Sequence, residues 1–279
     1  MKNPELFHRQ ENGFTVFGLA NAYVAVEIVP QLGARLLSLR NRHTQEEWMW
    51  RPTDSRPLAR HPLGLNFEHS TLAGADECLP NIDPCHWEGR ELPDHGECWA
   101  SAWTVDNAAL ADGRILTTLD LPRSPLSIER TVTLDGPRVH LAYRLTSRSD
   151  RPERWLWAFH PLYPLCPGDR LELPGNAVAP ECAGGSCAKA FYSATEGRVA
   201  LIRATGSRLT TTWSPAEIPW LAVWITRGYW HGHHHLALEP TVAPANTPDH
   251  PDVPLLAPGA TVSWSFTLAV SSESPTSIF

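Results

Sequence analysis

Apolar and polar positions alternate with period two through most of this chain, which predicts strands rather than helices. Residues 23–29 (Tyr-Val-Ala-Val-Glu-Ile-Val) form a run rich in β-branched side chains. Pro30 and a turn signal at Gly33 end it, and residues 35–39 resume it. Ile115, Thr117, Leu119 and Leu121 alternate, as do Leu126, Ile128, Arg130, Val132 and Leu134. Asp135-Gly136 then marks a hairpin, beyond which Val139, Leu141, Tyr143 and Leu145 keep the same period. Near the end Val262, Trp264, Phe266, Leu268 and Val270 face one way and Ser263, Ser265 and Thr267 the other. This is the half-buried pattern of antiparallel sheets.

No window carries a twelve-residue helix of period 3.6, and no βαβ rhythm appears, so a doubly wound sheet or α/β barrel is not expected. Residues 51–99 and 213–252 read instead as irregular, dense in His, Asp, Glu and Trp. Long loops between regular strands are where binding and catalysis concentrate. With no linker and no repeat, one domain over residues 1–279 is the expectation, all-β with few or no helices.

Composition sharpens this picture. Pro numbers 26 and Gly 18, a density that leaves little room for long helices. The net charge of −7 gives no electrostatic footprint for a phosphate backbone, so nucleic acid is not an expected partner. No apolar run reaches the length of a membrane helix, and residues 1–10 lack a signal peptide's apolar segment, so a cytoplasmic location is expected. The six cysteines contain no CxxC pair and are expected to be free thiols. Lysine occurs only at Lys2 and Lys189, the other 21 basic residues being arginine. Tryptophan, at 12 residues, can fill a core or stack on sugar rings.

Three constellations could carry chemistry. Residues 74–80 (Gly-Ala-Asp-Glu-Cys-Leu-Pro) and 92–99 (Leu-Pro-Asp-His-Gly-Glu-Cys-Trp) bring Asp76, Glu77, Asp94, His95, Glu97 and Trp99 close in sequence. Residues 155–161 (Trp-Leu-Trp-Ala-Phe-His-Pro) end an aromatic strand-like run at His160. Residues 231–240 (His-Gly-His-His-His-Leu-Ala-Leu-Glu-Pro) place Glu239 opposite Leu236 and Leu238 in the alternation. Each has a plainer reading. Glu239 could be a surface carboxylate and His160 a core histidine among aromatics. Asp76 and Glu77 could cap the turn after Gly74. Trp99 and Trp224, candidate sugar platforms, could equally be core. His231, His233 and His235 would share a face at period two and could ligate a metal, or form a solvated loop.

In this order, the three pieces resemble the aldose 1-epimerase (galactose mutarotase) family. The opening at residues 21–39, the His160-Pro161 strand end, the segment Leu238-Glu239-Pro240-Thr241 and the last strand from Leu256 to Trp264 carry the resemblance. It implies a large antiparallel β-supersandwich, no cofactor and no metal, and a small-molecule carbohydrate as partner. It also implies interconversion of the α and β anomers of an aldose or sugar derivative. By motif, Glu239 is then the base, His160 the acid and His95 a second histidine that holds the sugar. Asp76, Glu77, Asn66, Trp99 and Trp224 are the implied substrate contacts. The family's Arg–Asn pair has only Asn66 as a counterpart, and Asp169 follows the His160 motif where a substrate-binding Asp is sought. These departures look like a divergent branch.

Anomerisation needs one base on the C1 hydroxyl and one acid on the ring oxygen, tasks that a carboxylate and an imidazole can share. A carbohydrate binder without catalysis would use the same pocket. A lyase or hydrolase would need paired carboxylates such as Glu97 and Glu239. A metal enzyme would use the histidine run. A phosphorylated sugar would need converging arginines, for which Arg51, Arg56, Arg60 and Arg90 are the nearest candidates. Oligomeric state is not written in the sequence.

Overall fold

The computed structural model describes residues 4–52 and 57–272. Its strands in chain order begin with β1 (Glu5–Glu11), β2 (Phe14–Ala20), β3 (Val24–Val29), β4 (Arg35–Asn41), β5 (Ala75–Cys78), β6 (Cys85–Trp87) and β7 (Arg90–Leu92). Next come β8 (Thr104–Val105), β9 (Ile115–Asp120), β10 (Leu126–Asp135), β11 (Arg138–Ser147), β12 (Glu153–Arg154), β13 (Ala158–Pro161), β14 (Tyr163–Pro164) and β15 (Arg170–Glu172). The last are β16 (Cys187–Ser193), β17 (Arg198–Ile202), β18 (Ser207–Trp213), β19 (Trp220–Arg227), β20 (His234–Thr241), β21 (Leu255–Leu256) and β22 (Thr261–Ser272). One short helix, α1 (Asn107–Ala111), interrupts them, capped by the Asp106 side chain on Ala109 N.

Most of these strands form two large antiparallel sheets, while β6 pairs only with β7 and β12 only with β21. One runs β1-β2-β3-β4-β5-β13-β20-β19-β16, with β14 also on β20, and the other runs β15-β17-β18-β22-β11-β10-β9-β8. The predicted period-two segments become β9, β10, β11 and β22, whose alternating residues bury one face. That face and the first sheet share the main hydrophobic core, which includes Ile128, Val132, Leu141, Trp157, Phe159, Leu221, Leu238 and Phe266.

Arg130 sits within the inward series of β10 and is fully buried. It crosses between the sheets to Glu77 of β5, Nη1 donating to Oε1 at 2.9 Å. Glu77 also accepts from Tyr143 Oη at 2.7 Å and Trp157 Nε1 at 2.8 Å. Three donors thereby compensate a buried carboxylate whose charge would otherwise be costly.

Residues 213–252 are not uniformly irregular, as expected from sequence, because they contain β19 and β20. Both strands are buried on both faces, so their residues show no apolar–polar alternation. The β1–β2 hairpin, unmarked by alternation, forms the sheet edge. No helix among the described residues is long and apolar enough to cross a membrane.

Candidate functional site

Strand register assembles one wall of the site. Residues directly opposite one another in adjacent strands share a face. Asp76 of β5 pairs with His160 of β13. The pairs Ala158–Thr241 and Tyr163–Leu236 bracket His160 and hold Glu239 of β20 opposite it. Glu239 pairs with Ala222 of β19, Ala222 with Phe191 of β16, and Lys189 with Trp224. One face of five neighbouring strands therefore carries Asp76, His160, Glu239, Trp224 and Lys189.

The opposite wall is loop. Asp94 and His95 follow β7, and the chain turns sharply there, His95 at φ 58° and Gly96 at φ 71°. A Cβ on Gly96 would lie 2.3 Å from Leu79 O, so only glycine permits this approach. Asn66 caps a 3-10 turn at Phe67–His69, its Oδ1 accepting from Glu68 N at 2.9 Å. Between these walls lies a pocket of about 250 Å³ lined by Asn66, Glu68, Asp83, Asp94, His95, His160, Lys189, Trp224, Trp230, Glu239 and Asn246. That volume is just below the usual range of ligand pockets, roughly 300–1,000 Å³.

Glu239 is fully buried. Its Oε2 accepts from Lys189 Nζ at 3.1 Å. Its Oε1 has no hydrogen-bond partner among the described residues and lies 4.0 Å from His160 Nε2. Burial, aided by His95 and Lys189 nearby, pushes His160 well below the usual histidine range, so its imidazole is neutral at neutral pH. His95 meets His160 edge-on at 4.8 Å and stacks on Phe67 at 4.1 Å. Its Nδ1 bonds Asp94 Oδ1 at 2.8 Å, and Asp94 Oδ2 accepts from Phe67 N. Burial would raise the Asp94 carboxyl, but these bonds and the charge of His95 outweigh it and hold it below the usual range.

The sequence-predicted residues divide accordingly. Glu239, His160, His95, Asn66 and Trp224 meet at one pocket. Asp76 lies on the same wall but is covered, its Oδ1 taken by Arg35 Nε at 3.0 Å, and burial raises its carboxyl despite that cation. Glu77 does not reach the pocket: next to Asp76 on a strand, it points to the opposite face and the inter-sheet network. Trp99 does not line the pocket either. It is buried behind it, its Nε1 donating to Asp94 O at 2.8 Å, and so it braces the Asp94–His95 turn.

Glu97 is bound to Ser124 Oγ and Arg123 N, each at 2.6 Å, so it is not paired with Glu239 across the pocket. Asp169 is likewise held by Arg203 Nη1 at 2.5 Å. Of the candidate arginines, Arg51 reaches Glu11 and Arg90 reaches Glu153, Arg60 does not line the pocket, and Arg56 falls outside the described residues. The histidine run splits, because β20 begins only at His234. His235 is buried between Trp50 and Trp224 while His231 is exposed. No three His, Cys, Asp or Glu among the described residues are placed to hold a metal ion. The cysteines are free thiols.

Sequence reasoning passed over Lys189, Asp83, Asn246 and Trp230. For Lys189 a signal existed, since a lysine is rare in this arginine-rich chain. Asp83 and Asn246 are brought together only by loop contact, Asn246 Nδ2 donating to Asp83 Oδ2 at 3.0 Å. Trp230 joins the site by packing on Trp224 at 5.0 Å.

No protein-family model matches the sequence, and no curated protein matches it significantly. Solved structures do. A protein of Synechocystis sp. PCC 6803 is 16% identical with a TM-score of 0.72, covering 98% of this chain and 97% of its own. A galactose mutarotase-like protein of Clostridium acetobutylicum is 12% identical, TM-score 0.70, covering 98% and 100%. A galactose mutarotase related enzyme of Lactobacillus acidophilus is 15% identical, TM-score 0.67, covering 93% and 98%. The chain thus has the galactose mutarotase-like β-sandwich fold.

Proposed function

We propose that the protein is an isomerase that exchanges the α and β anomers of an aldose by opening and reclosing its ring. The observation that carries this reading is the unbonded Oε1 of buried Glu239 facing Nε2 of buried His160 at 4.0 Å, inside a pocket of monosaccharide scale. Glu239 takes the proton of the C1 hydroxyl as the bond from C1 to the ring oxygen breaks. The ring oxygen gains a proton from the imidazole pair, rotation about the C1–C2 bond presents the other face of the aldehyde, and reclosure reverses both transfers.

The depth of His160 weighs against a resting imidazolium there. Asp94 orients the His95 ring through Nδ1, and that ring meets His160 edge-on. His160 therefore faces the ring oxygen and Glu239 as a neutral imidazole, with His95 beside it in the same pocket, so that the two rings share the acid's work. Trp224 and Trp230 offer aromatic faces to the sugar, and Asn66 and Asn246 polar edges. The structural neighbours described as galactose mutarotase-like lend this reading support.

The test is anomer exchange followed by NMR across free hexoses, pentoses, uronic acids and sugar 6-phosphates, with Glu239→Gln as control. Acceleration that disappears in the control is expected. No acceleration with any sugar would reject the reaction and leave a binding role.

A further inference from the structure

Lys189 is the one lysine among the described residues and lies two strands away from Glu239. Ala222, the residue between them on β19, is small. The lysine stem, rooted opposite Trp224, is thereby free to cross it, and Nζ donates to Glu239 Oε2 at 3.1 Å. The lysine side chain keeps 21% of its surface exposed, whereas that of Glu239 keeps none.

This contact makes the two carboxylate oxygens unequal. Oε2 is engaged and Oε1 is not. It also sets the local charge. The other titratable groups facing Glu239 carry no positive charge to it at neutral pH or are spoken for. Burial keeps His160 neutral and drives His235, farther along the same strand, down to about 3. Burial, with the charge of Glu239, keeps the Cys78 thiol protonated. Asp76 is matched by Arg35, and His95 by Asp94.

We propose that Lys189 is the positioning residue of this site: its ammonium holds Glu239 by Oε2, leaves Oε1 as the atom that exchanges the proton, and keeps the buried carboxylate charged. The role rests on the anomer-exchange reading, and it makes a lysine, rather than a polar neutral group, the partner of the base.

Two substitutions and two measurements test it. Lys189→Met keeps the stem and removes the charge, and Lys189→Arg keeps the charge. For Lys189→Met the acidic limb of the exchange rate should move up by about one pH unit or more, with about a tenfold loss in kcat for each unit on that limb and a smaller change in KM. Lys189→Arg should restore the limb. A Lys189→Met protein with the original limb and rate would overturn the proposal, as would equal losses in both variants without movement of the limb. The second measurement is independent of activity. The ¹³C carboxyl resonance of Glu239, assigned by its absence in Glu239→Gln, should titrate at higher pH in Lys189→Met than in the unsubstituted protein, and coincident titrations would overturn the proposal. If the unsubstituted protein exchanges no sugar, the isomerase reading fails, while the carboxyl titration still decides the coupling.

Discussion

His160 Nε2 and Glu239 Oε1 stand 4.0 Å apart on neighbouring strands, both side chains buried, with the carboxylate oxygen otherwise unbonded among the described residues. Groups so placed should act as a unit on one substrate. Glu239→Gln and His160→Asn should each slow anomer exchange by about 10²–10⁴-fold. The double variant should be little slower than the worse single one, because neither half works alone. Exchange rates that fall by the product of the two single effects would show independent action.

Trp224 lines the pocket, packed between Trp230 and His235. An aromatic contact of this kind is worth about 0.5–1.5 kcal/mol beyond its area. Trp224→Leu should therefore raise KM roughly two- to tenfold and alter kcat less. A kcat loss exceeding the KM change would place Trp224 in the chemistry instead.

The pocket is lined by Glu68, Asp83, Asp94 and Glu239, and its lysine is already bonded to Glu239. No arginine is among the lining residues. Uronic acids and sugar 6-phosphates bring like charge into this field and should show kcat/KM lower by on the order of tenfold or more than the matching neutral sugars. Faster exchange of a 6-phosphate would mean that a cation reaches the pocket when substrate binds.

The Glu77–Arg130 pair joins the two sheets with both side chains at 0% exposure. Removing one member leaves a buried charge without its counterion, at a cost of about 3–5 kcal/mol. Arg130→Met should thus lower the melting temperature by on the order of 10 °C, and Glu77→Gln/Arg130→Met should recover part of the loss. A melting temperature unchanged in Arg130→Met would show that the network contributes little.

His160 and His235 are both held below the ordinary histidine value of 6.5 by burial, His235 to about 3. The unfolded chain takes up their protons below about pH 6.5 and the folded chain does not. Their effect on stability is therefore absent above that pH and grows unfavourable as pH falls towards 3, at up to about 1.4 kcal/mol per group per pH unit. Asp76 and Glu77, raised by burial, act in the opposite sense, so the comparison that isolates the effect is between proteins. His235→Phe should melt with a shallower decline between pH 6.5 and 3.5. Parallel melting curves would show that His235 becomes protonated in the fold.

Much of this protein is determined along the chain itself. Strands β9, β10, β11 and β22 bury one face and wet the other, and that asymmetry writes a period-two pattern into the sequence. His160 and Glu239 could be singled out because the segments around them, His160-Pro161 and Leu238-Glu239-Pro240-Thr241, resemble those of the mutarotase family. Tertiary structure decided the rest. β19 and β20 lie inside the sheet with both faces covered, which erases the alternation. Asp76 and Glu77 are adjacent in sequence, yet the pleat sends one to the pocket wall and the other to the inter-sheet core. Lys189 stands 50 residues from Glu239 and meets it only because an alanine on the intervening strand leaves the crossing open. Local alternation is a property of one strand and its solvent. The partner of a buried carboxylate is set by strand order and register, which no local pattern contains.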